Sequence, residues 1–510
     1  METESTLQKD KIESSVSRCD ECKNEVRYKE NTKIGILNID SANESHVYSK
    51  PKLWTVGTLV YTIPGLVVLF FWLLFGDFAW AIRERAVGIM SQVVLKKFGV
   101  SDFLVGLLFV SFPCGIMMII APVISCWSDR CRTRLGRRIP FLLFTAPLAA
   151  LSIVGLAVSP VIGRWLCGIF SGSENDASVN SYVIMVFSFF WIFFAVFAVV
   201  SNTIFTYLIN DVVPHTIIGR FYGFFRAISL LAGVIFFYVF FEKTDEYYVP
   251  MYIILAAVYG IGFTAMCLKV KEGSYPSPPV PLSGGVGVHP LQAVKSYIYE
   301  CFSNSYYVKI YAMNALYAMA TGATFFFSVY AARSFGLSLA DYGVCTAITY
   351  AISFTLSYPF GALADRFHPL RMGLIVLIIH TFVAFWAFLF IDGRLTYAAA
   401  FIMEGVLAGC FWTSTSGLLP LLLPKIRFGQ ISSAGLIVTS IGSMLIGPAI
   451  GSFLDCTGHH YEYTFGIAFG LDCLAFLVGI SLYRKFISLG GFKGYTPPEL
   501  TSITVQENLS

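Results

Sequence analysis

Ser128-Asp129-Arg130-Cys131-Arg132-Thr133-Arg134-Leu135-Gly136-Arg137-Arg138 is a cationic loop between two long apolar stretches, and Gly361-Ala362-Leu363-Ala364-Asp365-Arg366 repeats its core later in the chain. Each follows the second apolar segment of its half. A second pair recurs in the same order, Pro214-x4-Gly219-Arg220 and Pro424-x4-Gly429-Gln430, 210 residues apart. Two matches in matching order imply duplicated halves, as in parallel repeats of membrane helices.

Composition says what surrounds them. Of 510 residues, 56% are hydrophobic and 13% charged, too few polar groups to solvate the exterior of a water-soluble domain. The surplus faces lipid. A hydrocarbon core of roughly 30 Å needs about 20 apolar residues per helix. Such segments fall near 65–90, 102–127, 139–158, 181–209, 221–241 and 250–270, then 306–332, 341–363, 370–392, 396–423, 431–453 and 463–484. The expectation is an all-α polytopic membrane protein, with twelve helices in two pseudo-symmetric bundles. Its parts are a polar tail (1–64), a six-helix bundle (65–270), a Pro/Gly-rich linker (271–305), a second bundle (306–485) and a polar tail (486–510). Residues 291–302 suit a short surface helix.

Lys and Arg in short loops set orientation. Arg130–Arg138, Arg220, Lys269, Arg366, Arg371, Lys425 and Arg484 share one side, which is therefore expected to be cytosolic along with both tails and the linker. A net charge of +4 spread over loops offers no contiguous basic face for nucleic acid. Most of the 12 cysteines lie in apolar segments, so no secreted-type disulfide framework is expected. Cys19 and Cys22 have no second pair to complete a metal site. The first 50 residues read as a disordered tail rather than a signal peptide.

The Asp-Arg…Gly-Arg-Arg loop resembles the signature loop of the major facilitator superfamily. Its longer form, continuing to Ile139-Pro140-Phe141, is similar to that of the glycoside–cation symporter and sucrose transporter branch. Two departures stand out: five residues separate Arg130 from Gly136, and Ser125 replaces the usual Gly, which Gly361 keeps in the second half. The resemblance implies the major facilitator fold, with alternating access to a cavity lined by spans one, four, seven and ten. It also implies that Asp129, Arg130, Gly136, Arg137, Arg138, Asp365 and Arg366 gate the cytosolic side. Asp129 would accept bonds from an arginine and a helix N-terminus; the plainer reading is that the arginines only fix topology.

A charge in hydrocarbon costs on the order of 2.5–3.5 kcal/mol on insertion scales, so each invites a reason. Asp77 falls near the midplane of span one, with Trp80 and Glu84 on its face. Asp77 is either a carboxyl bonded to another helix or a proton- or solute-binding acid. Glu84, between Arg83 and Arg85, is equally an interfacial ion pair. Glu404 in span ten has Phe194 at its mirror position, so this acid exists in one half only. Span seven carries the stripe Asn314, Tyr317, Thr321, Thr324 and Ser328. Ser201 and Asn202 in span four, with Trp412 in span ten, complete a polar–aromatic pocket. His380 reads as a core histidine, and Asp472 as packing or function alike. Arg226 reads as support for the cytosolic gate. The small-residue lines Gly435/Thr439/Ser443/Gly447/Gly451 and Ser353/Ser357/Gly361 read as helix packing.

These residues point to secondary transport of a small solute, coupled to a cation, a proton foremost, through Asp77 or Glu404; a carboxyl kept from water binds a proton more readily. The branch implies a sugar or glycoside, and an organic acid, amino acid or drug-like solute is the alternative. A solute sensor on a transporter fold is the reading from another class. No P-loop or H-E-x-x-H motif appears, so neither an ATP-driven pump nor a membrane enzyme is expected, and no cofactor or metal. Partners are the solute, the coupling cation and the bilayer of the cell membrane, with the chain a monomer.

Overall fold

The computed structural model describes residues 53–170, 175–214, 217–274, 290–424 and 428–498. Cys19, Cys22, most of both tails, the linker prolines, Lys425 and Arg427 lie outside them. The N-terminal tail ends in something composition did not foretell: an antiparallel hairpin, β1 (Trp54–Val56) and β2 (Leu59–Tyr61). Gly57, at φ +55°, makes its turn. Thr58 Oγ1 accepts the Ser274 N–H at 2.7 Å, tying the hairpin to the start of the linker.

Thr62 caps α1, Ile63–Lys97, with a proline in its first turn. The first half continues with α2 (Asp102–Arg130), α3 (Ile139–Phe170) and α4 (Asp176–Val212). Next comes α5 (Ile218–Ile235), a π turn (Phe236–Phe240), a 3-10 turn (Phe241–Lys243) and α6 (Thr244–Lys269). An amphipathic helix, Pro290–Phe302, stands where a surface helix is expected. The second half holds α7 (Ser305–Phe326), α8 (Leu339–Phe367), α9 (Pro369–Phe390), α10 (Arg394–Thr415), α11 (Phe428–Cys456) and α12 (Tyr463–Ser488). Several run past the expected ends; α1 reaches Lys97 rather than 90, and α3 reaches Phe170 rather than 158.

Among the described residues, ten helical runs are long and apolar enough to span, eleven when α7 joins Ser328–Ser334 across a 45° bend. One of the ten, Phe221–Lys269, has 49 residues, roughly 73 Å at 1.5 Å per residue, which is two crossings. Its legs run oppositely along α1. In α5, Phe221 meets Phe70 and Ser229 meets Arg85; in α6, Met266 meets Gly76 and Tyr252 meets Ser91. The count is twelve.

The halves repeat each other in packing. In the first, α1 packs on α5 and α6, α4 on α2 and α3, and α3 on α6; in the second, the same pairs recur six helices later. The halves meet where α2 packs on α11 and α5 on α8. Glycines carry the first seam: a Cβ on Gly451 would lie 2.3 Å from the Asp102 carbonyl oxygen, and one on Gly106 would lie 2.4 Å from that of Gly447. The expected packing role of Gly447 and Gly451 is thus met.

Inter-half polar contacts cluster at the end holding loops 98–101, 335–338 and 457–462. There Asp455 of α11 accepts the N–H groups of Asp102 and Phe103, both at 2.9 Å, capping α2 from the other half. Buried Asp102 in turn holds Lys96 (2.8 Å), His459 (2.7 Å) and Tyr461 (2.9 Å), and Arg333 pairs with Asp245 at 2.6 Å. Replacing Asp455 with Ala removes a cap worth about 1 kcal/mol and loosens this end. A thiol-reactive, membrane-impermeant probe should then label a cysteine placed at Ser101 faster than in the parent, and equal rates would contradict this account of the seal.

Candidate functional site

The signature loop builds an ionic lattice inside the first half. Asp129 pairs with Arg138 at 2.5 Å and Arg137 at 3.5 Å, and Asp211 of α4 takes both arginines, at 2.7 and 3.2 Å. The carboxylate on a helix N-terminus is Glu272, accepting the N–H groups of Arg137, Arg138 and Ile139 at 2.6–2.9 Å. Gly136, at φ +115°, leaves the room Glu272 needs. Asp129 therefore does accept from an arginine, but the N-terminus expected for it belongs to Glu272. These contacts tie α2, α3 and α4 together rather than bridging the halves in this conformation. Asp365 and Arg366 end α8.

Between the halves lies a cavity of two adjoining lobes, 470 and 410 Å³, which share Arg85, Phe325, Phe326 and Tyr350. The smaller belongs mainly to α1 and α4 and is lined by Trp80, Arg83, Glu84 and Asn202. Arg83 is fully buried. One of its nitrogens reaches Glu84 and Asn202, each at 2.8 Å, and its plane lies over Tyr259 at 4.8 Å and Phe194 at 5.6 Å. Its Nε and Nη1 have no hydrogen-bond partner. The Trp80 indole N–H donates to the same Asn202 oxygen. Arg85 bonds Ser229 at 3.2 Å and stacks on Tyr350 of the other half at 4.5 Å.

The larger lobe belongs to the second half and is lined by Thr321, Thr324, His380, Glu404 and Trp412, among others. Glu404, 5% exposed, accepts from Thr324 at 3.3 Å. His380 Nε2 lies 3.3 Å from the same Glu404 oxygen, outside hydrogen-bond alignment. His380 Nδ1 meets Asp472 Oδ2 at 2.7 Å. Three buried titratable groups from α10, α9 and α12 thus stand in a row.

Of the residues expected here, Trp80, Glu84, Asn202, Thr321, Glu404 and Trp412 line the cavity. Asp77 does not: it is fully buried, and neither carboxyl oxygen has a hydrogen-bond partner. Asn314 faces a separate 230 Å³ pocket and bonds its own helix at Ile310. Tyr317 is buried against Phe411 at 3.7 Å with its hydroxyl unpartnered. Ser201 bonds Thr145, and Ser328 bonds Tyr342. Arg226 crosses to Thr413 of α10 at 3.1 Å. His380 is fully buried, as a core histidine would be, and also borders the larger lobe. Arg83, Arg85 and Tyr350 were not expected on that wall. The signal for the α9–α10–α12 row was present: three titratable residues in spans that the duplicated packing brings together.

The Arg83–Glu84 pair is lopsided, because the Arg83 side chain is fully buried and that of Glu84 is 47% exposed to the cavity. Glu84→Gln strands a buried guanidinium, a loss of about 3–5 kcal/mol, whereas Arg83→Met leaves a carboxylate that cavity water can solvate. Melting temperature in detergent should fall further for Glu84→Gln than for Arg83→Met; the reverse order would refute this balance.

Comparison with known proteins now has a fold and a site to attach to. Residues 310–497 match the Major Facilitator Superfamily. The human protein named proton-associated sugar transporter A is 31% identical over 136 residues, 23% of this chain and 18% of that one. Sucrose transport protein SUT5 of Oryza sativa subsp. indica is 27% identical over 109 residues, 20% of this chain and 19% of that one. The matched segments thus span about a fifth of the curated relatives. Among solved structures, a bacterial homologue of the human lysosomal transporter Spinster, inward-facing and unoccupied, superposes with a TM-score of 0.57 at 13% identity, covering 83% of this chain and 97% of that one. A D-xylose–proton symporter gives 0.55 at 15%, covering 82% and 96%. By sequence the match to the Major Facilitator Superfamily covers residues 310–497, and the fold is shared with these solved transporters over more than four fifths of the chain.

Proposed function

We propose that this multi-pass membrane protein carries a small polyhydroxylated solute, a sugar or glycoside, by alternating access coupled to a proton. The observation that carries the reading is the two-lobed cavity between duplicated halves, set behind a seam whose inter-half ion pairs, among the described residues, lie at one end. With the arginine-rich loops and both termini on the cytosolic side of the cell membrane, the locked end faces outward and the cavity belongs to the inward-facing state. Return to the outward-facing state requires the α2–α11 and α5–α8 seams to part, with Asp129, Asp365 and their arginines acting at the opposite end.

The chemistry of the smaller lobe favours hydroxyls. The exposed Glu84 carboxylate and the Asn202 amide are acceptors and donors within reach of one ring, with Arg83 buried behind them, and the Trp80 face suits its C–H surface. The proteins named as sugar and sucrose transporters add weight to this solute class. An organic acid is the second reading, favoured by Arg83 and Arg85 on one wall. Glu404 and Asp77 are the acids assigned to coupling.

Uptake of labelled sugars and organic acids into reconstituted vesicles, with and without a proton gradient, decides between them. A sugar should accumulate only with the gradient, and Glu404→Gln or Asp77→Asn should abolish accumulation while sparing solute exchange. Accumulation that ignores the gradient would overturn proton coupling, and parental behaviour in both amides would overturn their assignment.

A further inference from the structure

We propose that Glu404, His380 and Asp472 form one proton-holding unit, in which His380 passes a proton between an acid open to the cavity and an acid sealed behind it. A neutral imidazole offers one N–H and one lone pair. With Nδ1–H donating to Asp472 Oδ2 at 2.7 Å, Nε2 is left as an acceptor 3.3 Å from the Glu404 oxygen and out of line with it. Two acceptors then face each other unless a further proton lies on one of them. The row is therefore built to hold one proton more than a neutral histidine flanked by two carboxylates.

Burial makes that proton matter. His380 and Asp472 are fully buried and Glu404 is 5% exposed. Glu404 Oε1 and Asp472 Oδ1 have no other hydrogen-bond partner, so two charged carboxylates have little else to rest on. The groups facing the row are few: Thr324 bonds Glu404, the Tyr317 ring stands 5.2 Å from the imidazole, and Arg85 shares the wall of the lobe. Only Glu404 and the imidazole edge border the cavity, so the proton enters there.

The step balances without any other reactant. A proton from cavity water binds Glu404; once rotation of the carboxyl brings it into line with Nε2, it moves there as the Nδ1 proton passes to Asp472 Oδ2, and the reverse sequence releases it. His380 and Asp472 are positioning and relay groups and do not touch solute. The three helices of the row pack together within the second half, so the proton rides with that half as the halves rock. This consequence rests on the transport reading, whereas the protonation itself does not.

Infrared difference spectroscopy of the detergent-solubilised full chain, between mildly acidic and alkaline buffer, reads protonation without any solute. The parent should show a protonated-carboxyl band that Glu404→Gln removes, together with imidazole bands that His380→Gln removes. Asp472→Asn should lower the midpoint of both by about one pH unit, the size expected when a contact anion is lost. Should His380→Gln leave the carboxyl band and its midpoint unchanged, the residues titrate separately and the unit does not exist. In vesicles, His380→Gln should keep solute counterflow, which also shows that it folds, and lose gradient-driven accumulation. Accumulation equal to the parent would overturn the relay. If the parent itself accumulates nothing, the transport reading fails, and the infrared result still decides the unit.

Discussion

A charge inside a membrane has to find its partner on a neighbouring helix or in enclosed water, and this constraint organises the interior. Arg83 could not sit where it does without Glu84, Asn202 and two aromatic faces around it. Nor could Asp472 lie fully buried without His380. Each arrangement needs residues from several helices of one half, so the charges knit the bundles internally and leave the outer surface apolar. Asp77 is the exception, a buried acid without a hydrogen-bond partner.

The contacts between halves are of another kind. At α2–α11, backbone lies on backbone through Gly106, Gly447 and Gly451, and the polar groups converge on Asp102 and Asp455. At α5–α8, the symmetry-related seam, Gly343 meets the Phe237 carbonyl, and Tyr342 takes the Phe237 ring edge-to-face and the Phe241 ring at a tilt. Glycine seams give shallow, smooth contact, and ion pairs at their rim can break and reform in water. Within the first half, by contrast, Asp129, Asp211 and Glu272 bind Arg137 and Arg138 in a lattice spanning α2, α3, α4 and the start of the linker. Such a lattice suits a half that moves as one body.

The fold was legible because hydrophobic runs and two duplicated loops survive any local error. The site was half legible, and the misses have physical causes. Ending the first span at 90, when α1 continues to Lys97, pushed Glu84 toward the interface by about seven residues, roughly 10 Å of helix, and made Arg83 look like a boundary residue. The stripe on α7 misled differently. Buried Ser and Thr hydroxyls return to their own helix carbonyls, as Ser328 does to Phe325, so a line of hydroxyls need not all face water. His380 and Asp472 were each weighed alone, and their meaning lies in the pair.

The mirror positions 194 and 404 show what duplication left behind. Phe194 and Glu404 both stand on the cavity wall, one in each lobe. Phe194 offers its ring to Arg83, while Glu404 offers its carboxylate to His380. The scaffold kept its geometry while the walls acquired different chemistry. In the first half, a cation paired with a neighbouring acid presents donors and acceptors together; in the second, an acid–imidazole–acid row presents a place for a proton. Arg83 and the acid row find their partners within their own half, whereas Arg85 and Arg226 reach across, to the Tyr350 ring and to Thr413. Parting the halves would therefore leave the Arg83 pair and the row intact and break those two cation contacts, which lie where cavity water can replace them.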